Sequence, residues 1–125
     1  AFAPSAVFIN HPDERYMKQF EPHEPGSRML ITLRAINDFP EKETGMVKIS
    51  LMDSRGNAIW SQLQDVEIQP FGEKSYPVVL DLPSLPGGYT LVTEFGGTLS
   101  PVKKQISRRY INVDTRGHRY FVPEP

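Results

Sequence analysis

Residues 80–95 read Leu-Asp-Leu-Pro-Ser-Leu-Pro-Gly-Gly-Tyr-Thr-Leu-Val-Thr-Glu-Phe, and this stretch decides the fold. Pro83 and Pro86 stop the apolar run that ends at Leu82, because proline cannot donate a hydrogen bond to a strand ladder. The two glycines that follow permit a sharp corner. Alternation on one face then resumes at Tyr89, whose phenol we expect to bond back to the backbone before the corner, in a tyrosine corner. A β-hairpin with a wide turn is the alternative.

Outside this stretch, short segments also alternate between apolar and polar residues with a period of two, which is typical of half-buried strands. No segment shows a sustained helical period, and turn signals recur about every ten residues. The chain is therefore predicted to be all-β, a single domain over residues 1–125, folded as an immunoglobulin-like antiparallel sandwich of seven to eight strands. The predicted strands are residues 6–10, 28–37, 46–52, 58–63, 66–68, 74–82, 88–95 and 107–113, with a further edge pairing at residues 120–122.

The alternation also predicts which residues form the core and which segments are exposed. The residues expected between the sheets are Ile31, Leu33, Val47, Ile49, Leu51, Tyr89 and Leu91. Residues 37–45 and 96–104 carry charge, glycine and proline, so both are predicted to be exposed loops. Residues 53–57 are predicted to form a hairpin loop with a glycine in the left-handed region.

Composition limits the possible functions. The chain has 125 residues, a formal net charge of −1 and no cysteine. Disulfides and thiol chemistry are therefore excluded, and no overall positive charge attracts nucleic acid. No apolar run approaches the roughly 20 residues of a membrane span. Since the chain starts with alanine, we expect a mature form or an excised segment.

The sequence gives no catalytic or metal-binding pattern. Its carboxylates lie mostly in turns or alternate with lysine, and none is in a context that separates a pair into acid and base. His11, His23 and His118 are too scattered for a zinc motif, and we expect no cofactor. The C-terminal third is basic, but alternation sends Arg108 and Arg109 to opposite strand faces, which argues against a nucleic-acid surface. If Arg109 faces inward, it is expected to need a carboxylate partner.

The aromatic residues are the candidate contact residues. Trp60, the only tryptophan, follows the predicted 53–57 hairpin loop, and its face cannot be deduced because Ile59 and Leu63 have the opposite parity. Trp60 packs either in a core or domain interface, or outward as a contact site. An exposed apolar patch that includes Trp60, Phe39 or Phe71 is predicted, serving as a domain interface or as a sugar platform.

Several segments together resemble a known family. Residues 31–38 (Ile-Thr-Leu-Arg-Ala-Ile-Asn-Asp), 45–53 (Gly-Met-Val-Lys-Ile-Ser-Leu-Met-Asp) and 56–60 (Gly-Asn-Ala-Ile-Trp) are similar to the immunoglobulin-like domains of family 2 glycoside hydrolases. Residues 86–91 and 107–111 resemble the closing strands of such domains in large exported bacterial glycosidases. The resemblance implies an accessory domain that braces a catalytic barrel. The family's catalytic glutamates belong to the barrel, so none is carried over.

The leading hypothesis is thus a non-catalytic module of an exported glycoside-hydrolase-like protein, located in the periplasm, at the cell surface or outside the cell. Its expected partner is a neighbouring catalytic domain or a carbohydrate, with no nucleic acid and no membrane span. Two alternatives stay open. A stand-alone carbohydrate-binding module would show exposed coplanar aromatics around Trp60 or Tyr16. An adhesion or assembly module would show an unpaired edge strand or a large apolar patch.

Overall fold

The computed structural model describes residues 5–11, 23–97 and 105–114. Within these segments the chain forms strands and turns and no helix, and hence no helix that could cross a membrane. The strands are β1 (Ser5–Ile9), β2 (Arg28–Asn37), β3 (Glu43–Met52), β4 (Ala58–Ile68), β5 (Glu73–Asp81), β6 (Gly87–Gly97) and β7 (Gln105–Val113).

The seven strands form two antiparallel sheets. One sheet has the order β1-β2-β5 and the other has the order β4-β3-β6-β7. Every pairing between neighbouring strands is antiparallel. The connections β2–β3, β4–β5 and β5–β6 pass from one sheet to the other, whereas β3–β4 and β6–β7 are hairpins within one sheet. This arrangement confirms the predicted all-β sandwich.

The core lies between the two sheets, where the period-two alternation places it. All seven residues predicted for the core are buried: Ile31, Leu33, Val47, Ile49, Leu51, Tyr89 and Leu91. β1, β5 and β7 add further core residues, among them Val7, Ile9, Val78, Leu80, Ile111 and Val113. The hairpin loop after β3 contains Gly56 with φ +84°, as predicted.

The predicted tyrosine corner is confirmed. Tyr89 begins the buried face of β6, and its hydroxyl donates a hydrogen bond of 2.6 Å to the carbonyl oxygen of Leu85. Pro86 and the two glycines lie between donor and acceptor, so the phenol spans the corner that they form. Since the ring is buried and the acceptor lies on the loop, this bond fixes the connection between the sheets.

Several boundaries differ from the prediction. β6 continues to Gly97, so residues 96 and 97 of the predicted second loop belong to a strand, and β7 begins at Gln105. Residues 58–63 and 66–68 are not separate strands but parts of β4, which is continuous from Ala58 to Ile68. The 37–45 loop is shorter than predicted, because β3 already begins at Glu43 and the Glu43 side chain is fully buried. Its carboxylate accepts a hydrogen bond of 3.0 Å from Ser5, and it occupies space that a side chain at Gly97 would fill. The predicted pairing at residues 120–122, the 98–104 part of the second loop, Tyr16 and His118 lie outside the described residues.

Candidate functional site

The connections β2–β3 and β4–β5 meet at one end of the sandwich, here called the loop end (residues 37–42 and 69–72). Asn37, fully buried at the end of β2, holds them together. Its amide nitrogen Nδ2 donates to the carbonyl oxygens of Glu41 (2.7 Å), Ile68 (3.2 Å) and Gln69 (3.3 Å). Its Oδ1 accepts a bond of 2.9 Å from the backbone N–H of Phe39. One side chain therefore fixes both connections.

Phe39 and Phe71 are brought together at this loop end. The Phe71 N–H donates to the Phe39 carbonyl oxygen at 3.1 Å. The Phe71 side chain is 70% exposed, and its φ of +53° lies in the left-handed region, which bulky residues rarely adopt. Phe39 is half-buried. Phe71 thus presents an aromatic ring to solvent from a strained backbone conformation.

Trp60 does not join these two aromatics. It lies opposite Leu51 near the start of β4, half-buried and packed against the core. Eight residues of strand separate it from Ile68, which is about 26 Å at the usual rise. Ile59 and Leu63 have the other parity and are exposed. The structure therefore brings together two of the three predicted contact residues and places the third near the opposite end.

The outer face of the four-stranded sheet carries exposed apolar residues that are not among the predicted contact residues. Met46, Leu63 and Ile106 are exposed there. A shallow depression of about 270 Å³ lies above Gly96 and is lined by Met46, Lys48 and Leu63, among others. Alternation alone could not assign these residues to one surface, because the assignment requires the pairing of β3, β4 and β6.

A second cleft, of about 340 Å³, lies beside the tyrosine corner and is lined partly by Asp53, Leu85 and Tyr89. The Asp53 Oδ1 accepts two backbone bonds of 2.9 Å, from Arg55 and Asn57. The bond from the Asn57 N–H is the main cause that holds the pKa of Asp53 below its usual value. Burial, followed by the nearby Asp53 charge, raises the pKa of Tyr89. Because both bonds of Asp53 serve its own turn, this carboxylate is a structural group.

Arg109 faces inward from β7, but its described partners are not carboxylates as predicted. Its Nε donates to the carbonyl oxygen of His11 (2.8 Å) and its Nη2 to that of Ile9 (3.1 Å). Among the residues that the structure describes, Arg109 is thus bound by carbonyl and hydroxyl oxygens rather than by a carboxylate. The rings of His11 and His23, predicted to be scattered, have centroids 6.2 Å apart. Among residues 5–11, 23–97 and 105–114, no group of three or more His, Asp or Glu side chains is placed to hold a metal ion.

Comparison with known proteins identifies the fold. No family model and no curated protein sequence matches the chain. It is similar to the CARDB domain of a Pyrococcus furiosus protein, solved in complex with di-metal ions, with a TM-score of 0.64 and 14% identity over 88% of this chain and 87% of that one. A family 123 glycoside hydrolase from Clostridium perfringens matches with a TM-score of 0.60 and 11% identity, over 89% of this chain. A β-glucuronidase from Bacteroides uniformis matches with a TM-score of 0.58 and 11% identity, over 88% of this chain.

The match covers a much smaller share of each enzyme than of this chain. This chain spans 27% of the family 123 glycoside hydrolase and 13% of the β-glucuronidase. In both enzymes the shared fold is therefore one part of a much longer chain. At these identities the likeness extends to the fold alone and assigns no glycoside hydrolase family.

Proposed function

We propose that this chain is a non-catalytic accessory module of an exported carbohydrate-processing protein, which braces or positions a neighbouring catalytic domain. One observation carries the proposal. Nearly the whole of this chain matches a small part of two longer glycoside hydrolases. The family 2 resemblance of residues 28–113 points to the same role, with the catalytic residues in the other domain.

The surface best suited to contact that domain is the loop end. Phe71 keeps an exposed ring in a backbone conformation that costs roughly 1–2 kcal/mol. The exposed ring recovers little of that cost by burial in the isolated chain. Burial against a second domain would recover it, and contacts between domains usually cover roughly 600–1,500 Å².

The described carboxylates support a non-catalytic role. Asp53 is bonded within its turn, and Glu43 is buried between the sheets with a bond from Ser5. A glycosidase needs two carboxyl groups on the wall of one cleft, one of them protonated and one ionised. Asp53 lines its cleft with no second carboxylate among the described lining residues, and Glu43 is buried in the core, which supports placing catalysis in the neighbouring domain.

The test is to produce this chain and the catalytic domain of the same polypeptide as separate proteins and to titrate one into the other. We expect binding that Phe71→Asn weakens at least tenfold, because the ring is lost. The matched control is Leu85→Asn, since Leu85 is 71% exposed but lies at the tyrosine corner, at the other end. Asparagine tolerates the left-handed region, so Phe71→Asn should leave the isolated chain at least as stable as before. A parent polypeptide without a catalytic domain, or binding that both variants weaken equally, would refute the proposal.

A carbohydrate-binding module is distinguished by a glycan panel followed through Trp60 fluorescence. Trp60 packs against the core on its half-buried side, whereas a sugar platform requires an exposed ring face. We therefore expect no saturable quenching. Saturable quenching by one class of sugar, with binding measured by calorimetry lost in Phe71→Asn or in Trp60→Phe, would replace the bracing role with sugar binding.

A further inference from the structure

Four strands form the edges of the two sheets: β1, β5, β4 and β7. Exposed edges pair with other chains unless they are short, charged, interrupted by proline or covered. Three of the four have such protection. β1 has five residues, β5 contains Lys74 and Pro77, and β7 carries two arginines and is contacted by β1 through a bond from the Ile9 N–H to Ser107.

The first part of β4 has none of these protections. Residues 58–64 read Ala-Ile-Trp-Ser-Gln-Leu-Gln and include no charge, proline or glycine. Ser61 and Gln62 are exposed, and Leu63 is 62% exposed. This stretch is an uncovered edge with an apolar side chain near its middle.

The bonds of Glu67 show which backbone groups face outward along this edge. The Glu67 N–H donates to the Tyr76 hydroxyl (2.9 Å), which donates in turn to the Glu67 carbonyl oxygen (3.1 Å). Both groups of Glu67 therefore point away from β3. Outward groups alternate along an antiparallel edge strand, so those of Asp65, Leu63 and Ser61 point the same way.

These outward groups are largely free. Within the described part of the chain, the backbone groups of Ser61 and Leu63 have no bonding partner on this side. The Asp65 carbonyl oxygen accepts a bond of 2.9 Å from the side chain of Gln64, its half-buried neighbour, which water or another donor can replace.

Two features limit the free stretch. At one end, β3 and β4 change register so that Met52 pairs with Ala58 and Leu51 with Trp60, which leaves Ile59 as a bulged residue. At the other end, Tyr76 occupies both backbone groups of Glu67. The regular, free edge therefore runs from Ser61 to Asp65, with Leu63 at its centre.

We propose that this edge pairs antiparallel with the same edge of a second copy of the chain, with Leu63 opposite the partner's Leu63. In this register Ser61 lies opposite the partner's Asp65, and the pairing makes about six backbone hydrogen bonds. The bulge at Ile59 then lies opposite the partner's Glu67, whose backbone groups are already bonded to Tyr76. The pairing between the two copies therefore ends at this position on both strands.

The side chains fit this register. On the outer face, Leu63 packs beside the partner's Leu63. The Ser61 hydroxyl donates a hydrogen bond to the partner's Asp65 carboxylate. On the other face Gln62 lies opposite the partner's Gln64, and two amides can exchange hydrogen bonds. No like charges stand opposite each other. The self-complementary stretch is the reason to assign a second copy rather than a foreign peptide, and this inference does not depend on the accessory role.

Disulfide trapping tests the register, since the chain has no cysteine of its own. In Leu63→Cys the two Cα atoms would lie about 5.5 Å apart, within the range that a disulfide spans. In Ser61→Cys, the matched control on the same edge and face, the two copies of the residue are four residues apart along the strands, about 13 Å. We expect a covalent dimer under mild oxidation for Leu63→Cys, and little for Ser61→Cys. Equal trapping of both variants, or more of Ser61→Cys, would overturn the register.

Sedimentation velocity of the full chain, up to about 1 mM, tests the pairing itself. We expect a dimer whose dissociation constant rises at least tenfold in Leu63→Lys. Leu30→Lys is the matched control, because Leu30 is 66% exposed on the outer face of the other sheet. It should leave the dissociation constant unchanged. A chain that stays monomeric over the whole range, or a dimer that both variants weaken equally, would overturn the proposal. Either result leaves the accessory role intact, because that role is tested through Phe71.

Discussion

Replacing Tyr89 by phenylalanine tests whether the tyrosine corner stabilises the fold. The change removes only the hydroxyl, which donates the 2.6 Å bond to the Leu85 carbonyl oxygen. The ring stays buried in the same place, so no cavity forms. A neutral hydrogen bond contributes about 0.5–1.5 kcal/mol net. Since Leu85 lies on an exposed loop where water can reach its carbonyl, we expect a loss of about 1 kcal/mol.

For a chain of this length, that loss lowers the melting temperature by about 3–5 °C. Differential scanning calorimetry of both proteins at pH 7 measures it. Leu85→Ala is the control, because its carbonyl oxygen stays in place and its side chain is exposed. It should melt within about 1 °C of the wild type.

The pH dependence of the same pair gives a second readout. Burial raises the pKa of Tyr89 above its ordinary value of 10.0. The unfolded chain therefore ionises first, and the stability of the wild type falls as the pH rises from about 10 through the folded pKa. The variant lacks this group, so the difference between the two proteins should shrink above pH 10. Equal melting temperatures at pH 7, or a difference that stays constant to pH 11, would refute the role of the phenol.

Further outcomes are expected elsewhere in the chain. Leu91→Ala should cost about 2–5 kcal/mol in denaturant unfolding, because Leu91 is fully buried; an unchanged midpoint would contradict its place in the core. Gly45→Ala should destabilise by at least about 1–3 kcal/mol, since its Cβ would lie 2.3 Å from the Gly96 carbonyl oxygen, whereas Gly96→Ala has open space and should change little. Asp53→Asn should be less stable than the wild type at pH 7, and this difference should shrink as the pH falls below 3.8 through the lowered pKa of folded Asp53; thermal melts from pH 2 to 7 measure it. The purified chain should hydrolyse no aryl glycoside, and turnover abolished by replacing one carboxylate would show that it is an enzyme.

The sequence was sufficient to predict the strands and the core because one face of each sheet is exposed to solvent. Period-two alternation then specifies which residues are buried, as at Ile31, Leu33, Val47 and Ile49. The tyrosine corner was also predictable, because the prolines, the glycines and Tyr89 are local to one stretch. Such signals need no knowledge of which strands are neighbours.

Features that depend on neighbouring strands could not be predicted in this way. The face of Trp60 was ambiguous because the apolar Ile59 and Leu63 have the opposite parity. Gln62 and Gln64, which share the parity of Trp60, remain at least partly exposed where the other sheet does not cover β4. The burial of Glu43 depends on Gly97, which is its close neighbour only after β3 and β6 have paired. Phe39 and Phe71 likewise meet only through the bonds of Asn37 and the backbone of two connections.

Asn37 also determines how freely the loop end can evolve. All four hydrogen bonds of its side chain go to main-chain atoms, at Phe39, Glu41, Ile68 and Gln69. Main-chain groups are the same for nearly every residue type, so side chains along residues 38–41 and at residue 69 can be exchanged without loss of these bonds. Sequence variation in the loop end therefore leaves the hydrogen bonds that hold the two connections together unchanged. A library randomised at residues 38, 40 and 41, with Asn37 kept, should yield folded variants that present different recognition surfaces on one unchanged scaffold.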